Sequence, residues 1–277
     1  MPTTAEKRKT FRKLHESGCF VMPNPWDVGT ARYLQHLGFK ALATTSAGFA
    51  FSRGLPDGAV PRDMMLAHIR EIVETTDVPV NADFEGGFAV EPEGVAESVR
   101  LCVETGVAGL SIEDSTGNAD EPLYTIDLAA ERVRAARRAI DAMNGDTVLT
   151  GRAECFIVGR PDLADAIARL KAYSEAGADC LYAPGIRTRE EIAAVVAAVA
   201  PKPVNLLMSG AGELSVADIE ALGVRRISVG GGLARLAWST VADAAVRLAG
   251  GSFEGFAISQ PSVNMNVFFR EEIARRD

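Results

Sequence analysis

The sequence predicts a (β/α)8 barrel of the TIM type with an extra C-terminal helix, and three observations lead there. Short β-rich apolar runs alternate with amphipathic helical stretches along the chain. Glycine followed by an apolar residue recurs at Gly38-Phe39, Gly106-Val107, Gly177-Ala178 and Gly223-Val224, the punctuation of a helix that ends and turns into a strand. Residues able to do chemistry are spread over the ends of many strand-like runs, as in a barrel whose site is assembled from all its strand-to-helix loops.

The first run, Cys19–Met22, leads into Pro23-Asn24-Pro25-Trp26-Asp27 and a helical stretch over Val28–Leu37. An open, doubly wound sheet would place a glycine-rich nucleotide loop there, so the closed barrel is preferred. Ala41–Thr45 is the second run, followed by Arg62–Thr75 as helix. The third and fourth runs, Val78–Asp83 and Gly109–Glu113, precede helical stretches at Pro92–Thr105 and Leu128–Met143. Thr147–Ala153 and Cys180–Ala183 follow, each with its helix, at Asp162–Ala176 and Arg189–Ala200. Val204–Met208 with Val216–Leu222, and Arg226–Val229 with Leu233–Ala249, complete the repeats. Alternating strands and helices are the signature of an α/β protein.

The 277 residues are long for an average domain and ordinary for such a barrel. With no linker-like composition, residues 1–277 are expected to be one domain carrying a helical extension over 255–277. That extension contains Phe256, Met265, Phe268 and Phe269, apolar surface that predicts packing on a neighbouring subunit in a homo-oligomer, a dimer or tetramer. The net charge of −8 argues against a nucleic-acid footprint. An anionic substrate would have to be held by local cations, a metal ion or well-placed arginines. The four cysteines are scattered and read as reduced core thiols of a cytoplasmic protein. No run approaches the roughly 18 apolar residues of a membrane span, and Met1–Glu16 lacks a signal peptide's apolar segment.

Acids at strand ends are the most informative feature. Asn81-Ala82-Asp83-Phe84-Glu85 closes the third run and Ile112-Glu113-Asp114 the fourth. Alternation puts Asn81 and Asp83 on one face of the strand, with Glu85 following if the chain stays extended. Hard oxygen ligands on adjacent strands suit Mg2+ or Mn2+, which keeps waters and takes one or two carboxylates directly. Asp83, Glu113 and Glu85 are therefore the candidate metal residues, and Asp114 a helix cap or supporting group. Arg152, closing the fifth run, can clamp a substrate carboxylate in a bidentate pair. Thr45-Ser46-Ala47-Gly48 and Gly230-Gly231-Gly232 are two small-residue turns whose amides could hold an anion. His15, His36 and His68 all fall in helical stretches, which argues against a histidine base or a zinc cluster.

Pro23-Asn24-Pro25-Trp26-Asp27, Thr45-Ser46-Ala47-Gly48, Asn81-Ala82-Asp83, Ile112-Glu113-Asp114 and Arg152-Ala153-Glu154 resemble the isocitrate lyase/phosphoenolpyruvate mutase superfamily in kind and order. The resemblance implies a Mg2+-dependent barrel with a swapped C-terminal helix, acting on small 2-oxo or 2-hydroxy acids through an enolate. It marks Asp83 and Glu113 as metal-site acids, Asp57 in Gly54-Leu55-Pro56-Asp57 as the acid after the second strand, and Arg152 as the carboxylate-binding arginine. Ser46, Ala47 and Gly48 correspond to the turn at the substrate's carboxylate end, and Asn205 to a pocket-lining position. Asp57, Glu113 and Arg152 form the implied catalytic set.

Three departures bear on the subgroup. The family's Asp-x-Asp is matched on the third strand by Asn81-Ala82-Asp83, so one charge is expected to be missing, with Glu85 as its substitute. The Lys-x-Cys-Gly-His loop of isocitrate and methylisocitrate lyases is absent after Glu113-Asp114, where Ser115-Thr116-Gly117-Asn118 stands. Ser115 also replaces the lysine of the phosphonate-active members. The expected activity is cleavage of a C–C bond in a small dicarboxylate, by decarboxylation or a retro-aldol or retro-Claisen step. P–C chemistry on a phosphonopyruvate-like substrate and non-catalytic keto-acid binding are the alternatives.

Overall fold

The computed structural model describes residues 1–143, 145–258 and 264–275. It divides into two compact units, Met1–Gly232 and Leu233–Asp277.

The first unit is the barrel. Its strands are β1 (Phe20–Met22), β2 (Leu42–Ala43), β3 (Val80–Asp83), β4 (Gly109–Glu113), β5 (Val148–Arg152), β6 (Cys180–Tyr182), β7 (Val204–Leu207) and β8 (Arg226–Ser228). All eight lie inside the predicted runs. They pair in parallel in the order β1-β8-β7-β6-β5-β4-β3-β2, and the Ala43 N–H donates to the Pro23 carbonyl at 3.0 Å across the remaining seam. Asn24 secures that seam. Its side chain donates to the Thr44 carbonyl at 2.8 Å and accepts from the amides of Val229 and Gly230, both at 2.9 Å. The Gly230 turn, able by its sequence to hold an anion or simply to turn, thus has its Val229 and Gly230 amides already engaged.

The predicted helices appear as α2 (Val28–His36), α4 (Arg62–Thr75), α5 (Pro92–Glu104), α6 (Ile126–Asp141), α7 (Leu163–Glu175), α8 (Arg189–Val199) and α9 (Val216–Ala221). Side-chain caps set several starts. Asp27 accepts from the Thr30 amide at the head of α2, and Thr188 with Glu191 forms a reciprocal capping box on α8, each satisfying N–H groups the helix leaves open.

Two helices were not expected. α1 (Thr4–Leu14) runs through the polar N-terminal stretch, and α3 (Ser46–Ser52) begins at the small-residue turn, with the Thr45 side chain accepting from the Gly48 amide. Phe11 of α1 packs with Phe20, Met22, Ala41, Ala43, Ala108, Val148 and Cys180, the apolar plug of the barrel. The charged residues of α1 bond loose backbone ends. Lys7 Nζ donates to the Val73 carbonyl at 3.0 Å, and Arg8 to Val103 and Val107 at 2.9 and 3.0 Å.

Strand ends define the other face of the barrel. In β3, β4 and β5 every residue is buried except the last, Asp83, Glu113 and Arg152, which are partly exposed. The C-terminal ends of three neighbouring strands therefore present two acids and an arginine to one opening.

The second unit contains α10 (Gly232–Ala249, beginning at the unit boundary), a 3-10 turn at Glu254–Ile258 and α11 (Met265–Ala274). Residues 259–263 and 276–277 of the predicted extension lie outside the described residues. Leu236, Trp238, Val241, Val246, Phe253 and Phe256 are at least half exposed. No described helix is long and apolar enough to cross a membrane.

Candidate active site

Arg152 organises the opening. Its Nη1 lies 3.1 Å from Asp83 Oδ1 and 3.0 Å from Glu113 Oε2. Its Nε and Nη2 face the carboxylate of Glu154, with Nη2 at 3.2 Å from Oε2. Register explains part of this, since Glu113 and Arg152 are direct partners across β4 and β5. Asp83 uses its other oxygen, Oδ2, to accept from both the amide and the hydroxyl of Ser46 at 2.9 Å. The turn after β2 is thereby tied to the end of β3.

Glu154 is anchored from beneath. Its amide donates to Asp114 Oδ1 at 2.8 Å, while Asp114 Oδ2 accepts from Arg169 Nη1 at 3.1 Å and from the Tyr173 hydroxyl. Asp114 is 1% exposed, so this network is deep, and its bonds to α7 fix the loop carrying Glu154.

Beside the arginine lies a cavity of about 530 Å3, reached by Ser46, Asp57, Glu85, Glu113, Arg152 and Glu154 on its polar side. Phe88, Val90, Tyr124, Ile157 and Val158 are among its other walls. Acids outnumber the cations here, and their protonation shows it. Burial raises Glu113 well above the usual carboxylate range, against the pull of Arg152, with Glu154, Asp83 and Glu85 adding repulsion. Burial likewise raises Glu85 to about 7, helped by Asp83 and Asp57. Arg152 loses stability to burial, yet Glu113 and Glu154 hold its pKa well above normal. Glu85 Oε1 is buried without a hydrogen-bond partner, and its residue sits at φ 48°. A non-glycine residue in the left-handed region is strained and tends to mark function.

This donor set fits a hard divalent cation. It offers oxygen ligands only, an unpartnered buried carboxylate oxygen, and uncompensated negative charge. Among the described residues no three His, Cys, Asp or Glu side chains converge into a ready cage. An ion that keeps its waters and takes one or two carboxylates needs no such cage. Asp83, Glu113 and Glu85 are the residues that could hold it.

A family model described as phosphoenolpyruvate phosphomutase matches residues 11–249. The chain belongs to the phosphoenolpyruvate phosphomutase family. It is an enzyme of the isocitrate lyase/phosphoenolpyruvate mutase superfamily, as the motifs imply. A candidate lyase/mutase from Burkholderia cenocepacia J2315 superposes with a TM-score of 0.92 at 49% identity, covering 96% of this chain and 97% of that one. The oxaloacetate decarboxylase of Paraburkholderia xenovorans is 32% identical over 235 residues, 82% of this chain and 75% of its own. The structure of an oxaloacetate acetylhydrolase in complex with the product oxalate matches with a TM-score of 0.81 at 29% identity, over 90% of this chain and 88% of that chain.

Of the residues expected from the sequence, Asp57, Glu85, Glu113, Arg152 and Ser46 line the cavity, Asp83 joins them through Arg152 and Ser46, and Ala47, Gly48 and Asn205 do not line it. Ala47 and Gly48 are buried in α3 and do not line the cavity among its described walls. Asn205 points inside the barrel, where its Oδ1 accepts from Arg226 Nε at 2.8 Å and its amide donates to Ser228 at 2.9 Å.

Asn81 also faces inward, 4% exposed, with its Oδ1 3.5 Å from Arg226 Nη1. It belongs to the interior layer and not to the mouth. An acid at position 81 would therefore stand in the interior layer beside Arg226, whereas Asp83 is the residue of this strand that reaches the mouth.

Among the polar side chains that line the cavity, Glu154, Ser115, Thr116, Tyr124 and Arg132 went unrecognised in the sequence as site residues. Glu154 lay within a quoted motif and its acidic character could have found it. Tyr124 returns on a short hairpin closed by the Ser115–Leu123 bridge, and Arg132 reaches the site from α6, so neither had a local signal.

Proposed function

We propose that the chain is a Mg2+- or Mn2+-dependent lyase that cleaves a C–C bond of a small 2-oxo or 2-hydroxy dicarboxylate through an enolate. The observation that carries this reading is a single arginine shared by acids from three strand ends, Asp83, Glu113 and Glu154, beside a cavity where Glu85 lacks a partner. The relatives act on substrates of the proposed class, as the names oxaloacetate decarboxylase and oxaloacetate acetylhydrolase state.

In this reading one or two of Asp83, Glu113 and Glu85 would bind the metal directly and the rest through its waters, and the metal would supply Lewis-acid polarisation of the substrate. Arg152 neutralises the substrate carboxylate, and its charge is secured by Glu154 whatever the other acids bind. Asp57 and Ser46 line the same end, Ser46 orienting Asp83 through two hydrogen bonds. Decarboxylation asks least of these groups, because carbon dioxide leaves without a base. P–C chemistry is disfavoured by Ser115, which stands where a cation would meet a phosphonate dianion. The chain is further proposed to act as a homo-oligomer, the 255–277 extension packing on a neighbouring subunit.

The test is release of pyruvate, glyoxylate or oxalate from oxaloacetate, alkylated malates, isocitrate, methylisocitrate and phosphonopyruvate, with Mg2+ and with EDTA. Metal-dependent turnover of a dicarboxylate, lost in Asp83→Ala, is expected. Turnover of phosphonopyruvate alone would overturn the reading, and silence across the panel would count against it.

A further inference from the structure

Arg132 is 1% exposed, and its bonds run to carbonyls rather than carboxylates. Nη2 donates to the carbonyl of Gly86 and, at 2.9 Å, to that of Ala89. Nη1 donates to the carbonyl of Glu113 at 3.3 Å, and the guanidinium carbon lies 4.0 Å from the centre of the Tyr124 ring. One planar group thus ties the loop after β3 to the end of β4.

What it ties is specific. The loop contains Glu85 at φ 48° and Phe88 at φ 57°, the non-glycine residues with positive φ among those described. Gly86 and Ala89, each bonded by Nη2, sit just beyond each of them. The Glu113 amide also donates to the Glu85 carbonyl at 3.1 Å, so both segments meet where Arg132 grips them. Unfavourable backbone conformations persist only where surroundings over-determine them, and this guanidinium does so through the Gly86 and Ala89 carbonyls.

We propose that Arg132 is a positioning residue that fixes the carboxyl groups of Glu85 and Glu113 relative to each other, and so sets the affinity of the metal site. This rests on the metal-dependent reading above. Lysine would keep the charge but not the planar fork that spans three carbonyls. The geometry, not the charge, is what this role requires.

The test compares the wild type with Arg132→Lys and Gly86→Ala. In the latter the arginine stays, but the new Cβ would stand 3.2 Å from its Nη2. Two readouts are taken: Mn2+ affinity by calorimetry, and amide hydrogen exchange over residues 84–89 and 113–116 in metal-free protein. Arg132→Lys is expected to speed exchange in both segments, leave the rest of the barrel unchanged, and weaken Mn2+ binding about 10- to 100-fold, as losing a supporting group does at metal sites. Gly86→Ala should shift both readouts the same way by less, and it decides the matter if the lysine variant fails to fold. Unchanged exchange overturns the proposal, as does faster exchange with Mn2+ affinity intact. If the wild type itself binds no Mn2+, the metal-dependent reading falls and with it the metal-affinity half of the proposal, while exchange still decides whether Arg132 positions the two segments.

Discussion

Arg152 has more carboxylates around it than one guanidinium can neutralise, and removing it would leave Glu113 and Glu154 repelling each other in a buried site. Its ion pairs are with Asp83, Glu113 and Glu154. Arg152→Met is therefore expected to lower kcat/KM on the order of 10²–10³-fold, the scale of deleting one electrostatic stabiliser from an active site. Steady-state kinetics on the best substrate of the panel checks it. A different residue reports on pH. His68 of α4 is 4% exposed and stacks on Phe49 with centroids 3.8 Å apart. Burial, partly opposed by Asp27, lowers its pKa to about 4. The unfolded chain then binds a proton that the folded one refuses, so stability is full above about pH 6.5 and falls as pH drops toward 4. His68→Phe, which keeps the ring stack, should remove up to about 3 kcal/mol of that loss. Urea unfolding of metal-free protein at pH 7 and pH 4.5 measures the difference.

Single elements carry the site through bonds that cross the chain. α7 holds the loop after β5 because Arg169 and Tyr173 both reach Asp114, which receives the Glu154 amide. Asp114→Ala would leave the Glu154 amide and the Tyr173 hydroxyl without their acceptor, while Arg169 keeps Asp165 and the Tyr124 carbonyl. The expected cost is about 1–3 kcal/mol, the range for leaving a buried donor unpaired. Equilibrium denaturation tests this, and a cost under about 1 kcal/mol would show that Asp114 is not the anchor. Strands were legible in the sequence because a barrel strand is buried on both faces, so β3, β4 and β5 read as short runs broken only by Asn81, Ser111 and Thr150 and ending in Asp83, Glu113 and Arg152. α1 was not legible, since Lys7 and Arg8 look like solvent-facing charge until their partners, the Val73, Val103 and Val107 carbonyls, are known. Asn81 and Asn205 misled for a related reason. Alternation along a strand says which side a residue faces, but not whether it stands in the interior layer with Arg226 or at the mouth.

In the molecule as a whole, charge and apolar surface are unevenly placed. The acid-rich cavity belongs to the barrel unit, while half-exposed or more exposed Trp238, Val246, Phe253 and Phe256 belong to the second unit. Large apolar side chains exposed together in one unit call for a partner. Sedimentation equilibrium is expected to give a homo-oligomer, and Phe253→Glu combined with Val246→Glu to shift it toward monomer; a wild-type monomer would remove that expectation. The barrel's proposed chemistry rests on something more specific, a metal and Arg152 jointly receiving a planar dianion of enolate shape. Oxalate has that shape, and its binding can be followed by calorimetry with Mg2+, with EDTA, and in Asp83→Ala. Saturable oxalate binding that appears only with Mg2+ and vanishes in Asp83→Ala is the predicted result. Oxalate binding that is equally tight in EDTA, or unchanged in Asp83→Ala, would contradict it.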